Sequence, residues 1–514
     1  MTRTGTTAAE AAPRDRVHAV RHLYARRGDR PTTGDRAYAL YLALLLGLVY
    51  VAPVVLLARA SRPPLSLEPL GTAAPVAALA AAAAVWGGQL TGRFWGPLVT
   101  EPFLLHVYRS TDLPPERYLG GIARRRLAPA ALGTLLAVTT AALLLTDLYD
   151  RPTGPLALQG AALTTGLAAL APVAWLWGQA RPVRDNLLLA AGTAAAAAAL
   201  APLARTPLPD GAGLWPAAAA TALAAALLGR SAFRSLPTVD LARLARESAR
   251  ADEARNFALT GTLHHALDLY RPAPRGLTGA LVRPDGRLRG PLAQGAVRAL
   301  RTPGRTSAAV ALLAVGGVAL ALGAATPGGG PATLAWAAGA AAVYAGSGRI
   351  GETWRGLRDE LILAPLYGER GGGTPARTLI WPVTAVVTVT GTAGAAALLA
   401  RGPLPDVRPA HTALLAAGAL VLVLGARFLR EMKTDLPVAL LVPLVTPFGD
   451  LAALRVFLWQ FDGLAVVLAG ALVTYRLPAA SAALTALALA ACCAWAGLRR
   501  TGRSPLRARH GRAG

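Results

Sequence analysis

The sequence predicts an all-α, polytopic membrane protein with about twelve transmembrane helices, laid out as two parallel six-helix repeats. Three observations carry this prediction. First, 54% of the 514 residues are hydrophobic and 15% are charged, with a mean hydropathy of +0.44. Soluble globular chains run nearer to roughly 45–50% apolar and 25% charged. Second, the apolar residues come in long blocks that reach or approach the ~20 residues a helix needs to cross a bilayer. Lipid offers the backbone no hydrogen-bond partners, so such blocks form helices. Third, basic residues alternate in abundance from one side of these blocks to the other.

The elements follow in chain order. Residues 1–36 hold eight arginines and no apolar core, so they read as a basic tail rather than a cleavable signal peptide. Within the tail, "AVRHLYARRG" (Ala19–Gly28) reads as a short elbow helix on the membrane surface, its apolar side toward lipid and its arginines toward anionic headgroups. The first membrane half, 37–228, has spans near 38–58, 71–90, 127–146, 156–177, 186–204 and 211–228. The first of these doubles as an uncleaved signal-anchor. Several are rich in alanine, which is only weakly apolar.

A polar linker, 229–306, holds 14 arginines and six acids. Its stretch "DLARLARESARADEARNFALTGTLHHALDLY" places Leu241, Leu244 and Ala245 at helical spacing. Proline-, glycine- and arginine-rich turns follow, and then a second elbow, "AVRALRTPGR" (Ala296–Arg305). The pair His264 and His265 does not read as a metal site. Neighbours on a helix point about 100° apart, and no carboxylate cluster completes a shell. The second half, 307–498, has spans near 307–325, 330–346, 378–400, 409–426, 454–474 and 479–497. Between its fourth and fifth spans, "LPVALLVPLVTPFGD" (Leu436–Asp450) is short and holds three prolines, so it reads as re-entrant or interfacial. Residues 499–514 form a basic tail. The adjacent Cys492 and Cys493 suggest neither a disulfide framework nor a zinc site and read as small core residues.

Charge placement tests this layout. The net charge is +25. With a cytoplasmic N-terminus and twelve alternating spans, all but seven of the 52 basic residues fall inside; the exceptions are Arg59, Arg62, Arg151, Arg205, Arg401, Arg408 and Arg476. The positive-inside rule then puts both termini in the cytoplasm of a cell (plasma or inner) membrane. No basic stripe is interleaved with stacking aromatics, so no nucleic-acid partner is expected. Trp86, Trp175, Trp177, Trp381 and Trp459 lie near span ends, as an interfacial aromatic belt does.

Two polar passages recur between the spans. Thr91-Gly92-Arg93 and Ser347-Gly348-Arg349 are 256 positions apart, and each closes the second span of its half. Glu101 precedes Tyr108 by seven residues, and Glu360 precedes Tyr367 by seven. Both passages fall on the cytoplasmic side. Six spans per half give the repeats the same orientation, related by an axis along the membrane normal. Such halves suit a pathway that opens alternately to either side. Arg93 and Arg349 read either as partners for acids or lipid phosphates, or as topogenic arginines at the membrane edge.

The sequence contains no recognisable source of energy. Its one lysine, Lys433, is followed by threonine but lacks the glycines of a phosphate-binding loop. No acid–base pair, nucleophile elbow or metal constellation stands out, so this chain is not expected to be an enzyme or to hold a cofactor. Ionisable residues inside spans are scarce; Asp462, in "LWQFDGLAVV", is the clearest. It reads as a helix-end charge or, in a gradient-driven carrier, as an ion relay.

The layout resembles the ABC-2-type exporter permeases. "AVRHLYARRG" and "AVRALRTPGR" sit where that family has its elbow helix. "WGPLVTEPFLLHVYRSTDLPPERYLGG" and "WRGLRDELILAPLYGERGGG" sit where it has its coupling loop. The run "EPFLLHVYRSTDLPPERYL" is similar to the loop of ABC exporter membrane subunits, here in a fused twelve-helix form. The resemblance implies an exporter energised by separate cytoplasmic ABC ATPase subunits, docked through Arg93, Glu101, Tyr108, Arg349, Glu360 and Tyr367. The alternative is a major-facilitator-like carrier, whose glycine-rich motif "GGQLTGRFWG" (Gly87–Gly96) faintly matches. The aspartate of that motif is missing, and the loop is long for that family. A non-transport membrane scaffold is the third reading.

Overall fold

The computed structural model describes residues 73–111, 113–146, 154–200, 214–259, 289–326, 330–362, 374–401, 409–433 and 452–500, with a few isolated residues outside these runs. The expected span at 38–58 and Tyr367 lie outside the described residues. Regular structure is helical throughout these runs. The exception among the described residues is a two-residue antiparallel ladder pairing Val445 with Asp450 and Thr446 with Gly449. That ladder falls in the proline-rich segment 436–450, which forms no spanning helix among its described residues.

Seven helices are long and apolar enough to cross a membrane, and the architecture is that of a multi-pass membrane protein. The seven are Leu158–Ala180, Trp215–Arg234, Pro303–Ala325, Arg377–Ala400, Pro409–Glu431, Leu454–Tyr475 and Ala479–Arg500. The other expected spans near 71–90, 127–146, 186–204 and 330–346 are helical too.

The chain forms two compact units. One comprises Met1–Ala37 with Pro64–Tyr270, the other Tyr38–Pro63 with Arg271–Gly514. In the first, α1 (Ala73–Phe94) is followed by short α2 (Pro102–Arg109), then α3 (Pro115–Thr146), α4 (Gly154–Ala180), α5 (Val183–Leu200), α6 (Trp215–Arg234) and α7 (Leu241–Leu259). Helix α4 is central and packs on α1, α3 and α6, while α1 also packs on α5. Small residues make the α1–α4 approach possible. A Cβ added at Gly88 would lie 2.6 Å from the Ala171 carbonyl oxygen, and one at Gly178 would lie 2.5 Å from that of Gln89. Between helices in lipid, such close backbone contact replaces the hydrophobic driving force available in water.

The linker helix α7 is not wholly solvated. Leu244 is buried among Leu98, Leu105 and Tyr108, with Leu241 and Ala245 packed alongside. Val20, in the first elbow, and Val17, just before it, pack on the same cluster. The apolar side of that segment therefore meets protein at Val20 rather than lipid.

The second unit contains α8 (Arg289–Arg301), α9 (Pro303–Ala325), α10 (Gly330–Ile350), short α11 (Glu352–Ile362), α12 (Thr374–Arg401), α13 (Pro409–Glu431), α14 (Ala452–Tyr475) and α15 (Ala479–Arg500). Of the second elbow, Ala296–Arg301 is helical within α8, and Pro303–Arg305 already open α9. Helix α9 packs on α10 and α12, α13 on α15, and α14 on both α10 and α13. Trp336 is fully buried in this core, and its indole N–H donates to the Ala471 carbonyl at 3.0 Å. Of the two cysteines, Cys493 is buried but Cys492 is exposed, because neighbours on a helix cannot both face its packed side. Helix α14 is kinked at Phe461 (φ −111°, ψ 16°), one residue before Asp462.

Candidate functional site

The two recurring passages each end a long helix and begin a short amphipathic one. In the first unit, Gly92 sits in the last turn of α1 against α4, where a Cβ would strike the Trp175 carbonyl. In the second, Gly348 sits near the end of α10 against α13, where a Cβ would strike the Arg427 guanidinium. Both glycines thus face the helix that forms the fourth expected span of their half, but Gly92 admits its backbone, whereas Gly348 makes room for a side chain that can shift.

In the first unit, the loop after α1 is clamped between α4 and α7. Gln179, buried near the end of α4, accepts from the Leu98 backbone N–H at 2.7 Å through Oε1. Its Nε2 donates to Glu247 Oε2 on α7 at 2.9 Å. Arg243, also on α7, donates to the Gln179 carbonyl and pairs with Glu247 at 3.1 Å. The Thr100 N–H donates to Ser248 Oγ at 3.3 Å, and the Trp175 indole donates to the Trp95 carbonyl at 2.6 Å. Arg93 is half-buried near this clamp. Burial, and then repulsion by Arg243, lower its pKa, while Glu247 raises it.

Helix α2 starts with proline in its first turn, which suits an N–H that needs no partner there. Glu101 stands just before it, exposed, and its side chain makes no capping bond. Tyr108 is fully buried and stacks on Tyr118 at 4.8 Å between ring centres. It is a core residue that holds α2 down and is not presented to a partner. The outward face of α2 carries Phe103, His106 and Arg109 instead.

In the second unit, α11 is fastened by charge. Trp354 is fully buried edge-on against Phe428 at 5.7 Å. Arg355 on α11 and Arg427 on α13 both bond the carboxylate of Glu431, which is buried at the end of α13. Arg358 donates to the Lys433 carbonyl at 2.8 Å, and Arg305 pairs with Glu352 at 2.5 Å. Arg427 also donates to the Gly348 carbonyl at 3.2 Å. Glu360 lies in the last turn of α11. Glu101 and Glu360 therefore occupy opposite ends of their short helices, despite the equal spacing to a tyrosine.

Asp462 is neither a bare helix end nor isolated. Its Oδ1 accepts from the Gly463 N–H at 2.6 Å just past the kink, and it pairs with Lys433 at 2.6 Å and Arg500 at 2.9 Å. Lys433 also donates to the Trp459 carbonyl and lies 4.6 Å from the centre of that ring. Burial pushes the Lys433 ammonium down to about 7. Asp462 opposes that shift, and Arg430 and Arg500 add to it.

Sequence reasoning passed over Gln179, Arg355, Arg427 and Glu431 as participants and noted Lys433 only as a failed phosphate loop. The available signal was the spacing of Arg427 and Glu431, an i,i+4 pair at the end of an apolar block. No protein-family model, curated protein or solved structure matches the chain.

Proposed function

We propose that the chain is the membrane-spanning permease subunit of an ATP-driven exporter, with twelve spans in two parallel six-helix repeats. Separate ABC-type ATPase subunits dock on α2 and α11, which face the cytoplasm together with both termini in the cell membrane. The observation that carries this reading is the bracing of the short helices. Each follows the second expected span of its half. In the second unit α11 is tied to the end of the fourth through Glu431 and Lys433; in the first, Gln179 holds the loop before α2 at Leu98, and Leu105 and Tyr108 of α2 share a buried cluster with Leu176 of the fourth. A load on the short helix passes directly to a long one. The repeat is supported by packing: in both units the second expected span packs on the fourth and fifth, and the fourth on the sixth.

The test is co-purification with candidate ABC-type ATPases. Reversing charge at Glu101 and Glu360, or placing glutamate at the exposed Phe103, should abolish it. Intact binding by these variants would show that docking lies elsewhere. A gradient-driven carrier is the second reading, and the buried Lys433–Asp462 pair favours it, since such pairs in transporters mark ion pathways. A carrier would keep its transport when ATP is depleted and lose it when the proton gradient collapses.

A further inference from the structure

A cavity of about 310 Å³ lies within the second unit, at the low end of the size range of ligand pockets. The elbow helix α8, the first turns of α9, the end of α10, the start of α11 and one face of α12 line it, and it is open to the surface. Its wall is mostly apolar, with Val310, Trp381, Ala385 and Val389 as the larger contributions. Two guanidiniums, Arg298 and Arg349, also line it. Neither side chain has an ion pair or hydrogen bond among the described residues. The one carboxylate in the lining, Glu352, is already taken by Arg305 at 2.5 Å. The hydroxyls do not supply a counter-charge either. Those of Thr302, Thr306 and Thr384 donate to backbone carbonyls at 3.2, 2.7 and 2.7 Å. Arg349 is half-buried, and burial and the neighbouring Arg305 both make its positive charge costly to hold.

We propose that this cavity binds an anionic phospholipid, with its phosphate between Arg298 and Arg349 and its acyl chains along α12. The charge calls for an anion, because the half-buried Arg349 and the exposed Arg298 beside it have no counter-charge of their own among the described residues, and guanidinium matches phosphate geometry. The surroundings call for a lipid. Val310 lines the cavity and is itself exposed, and α12 carries an outward apolar row at Leu379, Val383 and Val387 along a candidate span. The site involves the first residues of α11, Glu352 and Thr353, but it does not depend on the ATPase reading.

The test uses full-length protein in detergent and native mass spectrometry. The probes are dioleoylphosphatidylglycerol, dioleoylphosphatidylcholine and inorganic phosphate. Wild type should retain the glycerol lipid over the choline lipid. The double variant R298Q/R349Q should lower retention of the glycerol lipid about tenfold and leave the choline lipid unchanged. Ala385→Trp, which fills the cavity but spares both arginines, should also release the glycerol lipid. Arg298 is exposed, so R298Q alone keeps the fold and should still weaken retention severalfold. Equal retention of both lipids by wild type, or unchanged retention in these variants, would overturn the assignment. So would displacement of the lipid by millimolar phosphate, which would make free phosphate the occupant.

Discussion

Lys433 shows how a single residue can be misjudged from sequence. It is the one lysine in the chain, and it is buried against Asp462. Its titration near 7, against an ordinary 10.5, gives a signed expectation. Below pH 7 the lysine is charged in both the folded and unfolded chain. Between about 7 and 10.5 the unfolded chain keeps a proton that the folded chain has released, so stability rises with pH through that window. Thermal midpoints in detergent from pH 6.5 to 9.5 should therefore rise more steeply in wild type than in Lys433→Met. Parallel profiles would remove this assignment. Glu431 provides a second test. Glu431→Gln leaves two guanidiniums without their carboxylate, and because both keep some contact with water the cost should be about 3 kcal/mol, the low end for a broken buried pair. Denaturant titration would measure it. The tripeptide with Gly92 or Gly348 was legible as a repeat by its spacing; the close backbone approach at Gly92 was not, because nothing local in the sequence places α4 beside it. The tyrosine spacing misled, because burial of Tyr108 depends on Tyr118, which pattern reading does not place beside it.

Among the described residues, the apolar blocks coincide with helices, seven of them long and apolar enough to span, but mark the helix ends poorly. Helix α3 begins at Pro115, twelve residues before its expected apolar block. Those extra turns bury Tyr118, Leu119 and Ala123 against α2 and α6 rather than in lipid, so a hydropathy block does not include them. The kink at Phe461 left no proline or glycine at its own position to announce it. The short helices were expected as loops for docking, and their attachment to α4 and α13 came from long-range pairing beyond the reach of local periodicity. The α1–α4 contact gives a measurable consequence. Gly92→Leu would force the Trp175 backbone away and should lower stability by about 1–3 kcal/mol, read by thermal unfolding in detergent. A leucine tolerated without loss would mean that α1 does not approach α4 as described.

For the whole chain, charge asymmetry is the signal that local sequence cannot hide. Only seven basic residues fall on one side of the expected layout. That makes the orientation testable with one reporter. In a background with both cysteines replaced by serine, Ser110→Cys, at the exposed end of α2, should react with a membrane-impermeant maleimide only after the cells are opened. Labelling of intact cells would invert the topology. Composition alone made the membrane class legible. Among the described residues, seven helices are long and apolar enough to cross a membrane.

Glu431 shares one carboxylate between two guanidiniums, one from α11 and one from its own helix four residues earlier. That arrangement works as a clutch. If α11 lets go, Arg355 leaves but Arg427 stays, so the buried charge is never stranded. Release then costs one contact rather than an orphaned ion, and re-engagement finds its acceptor already held in place.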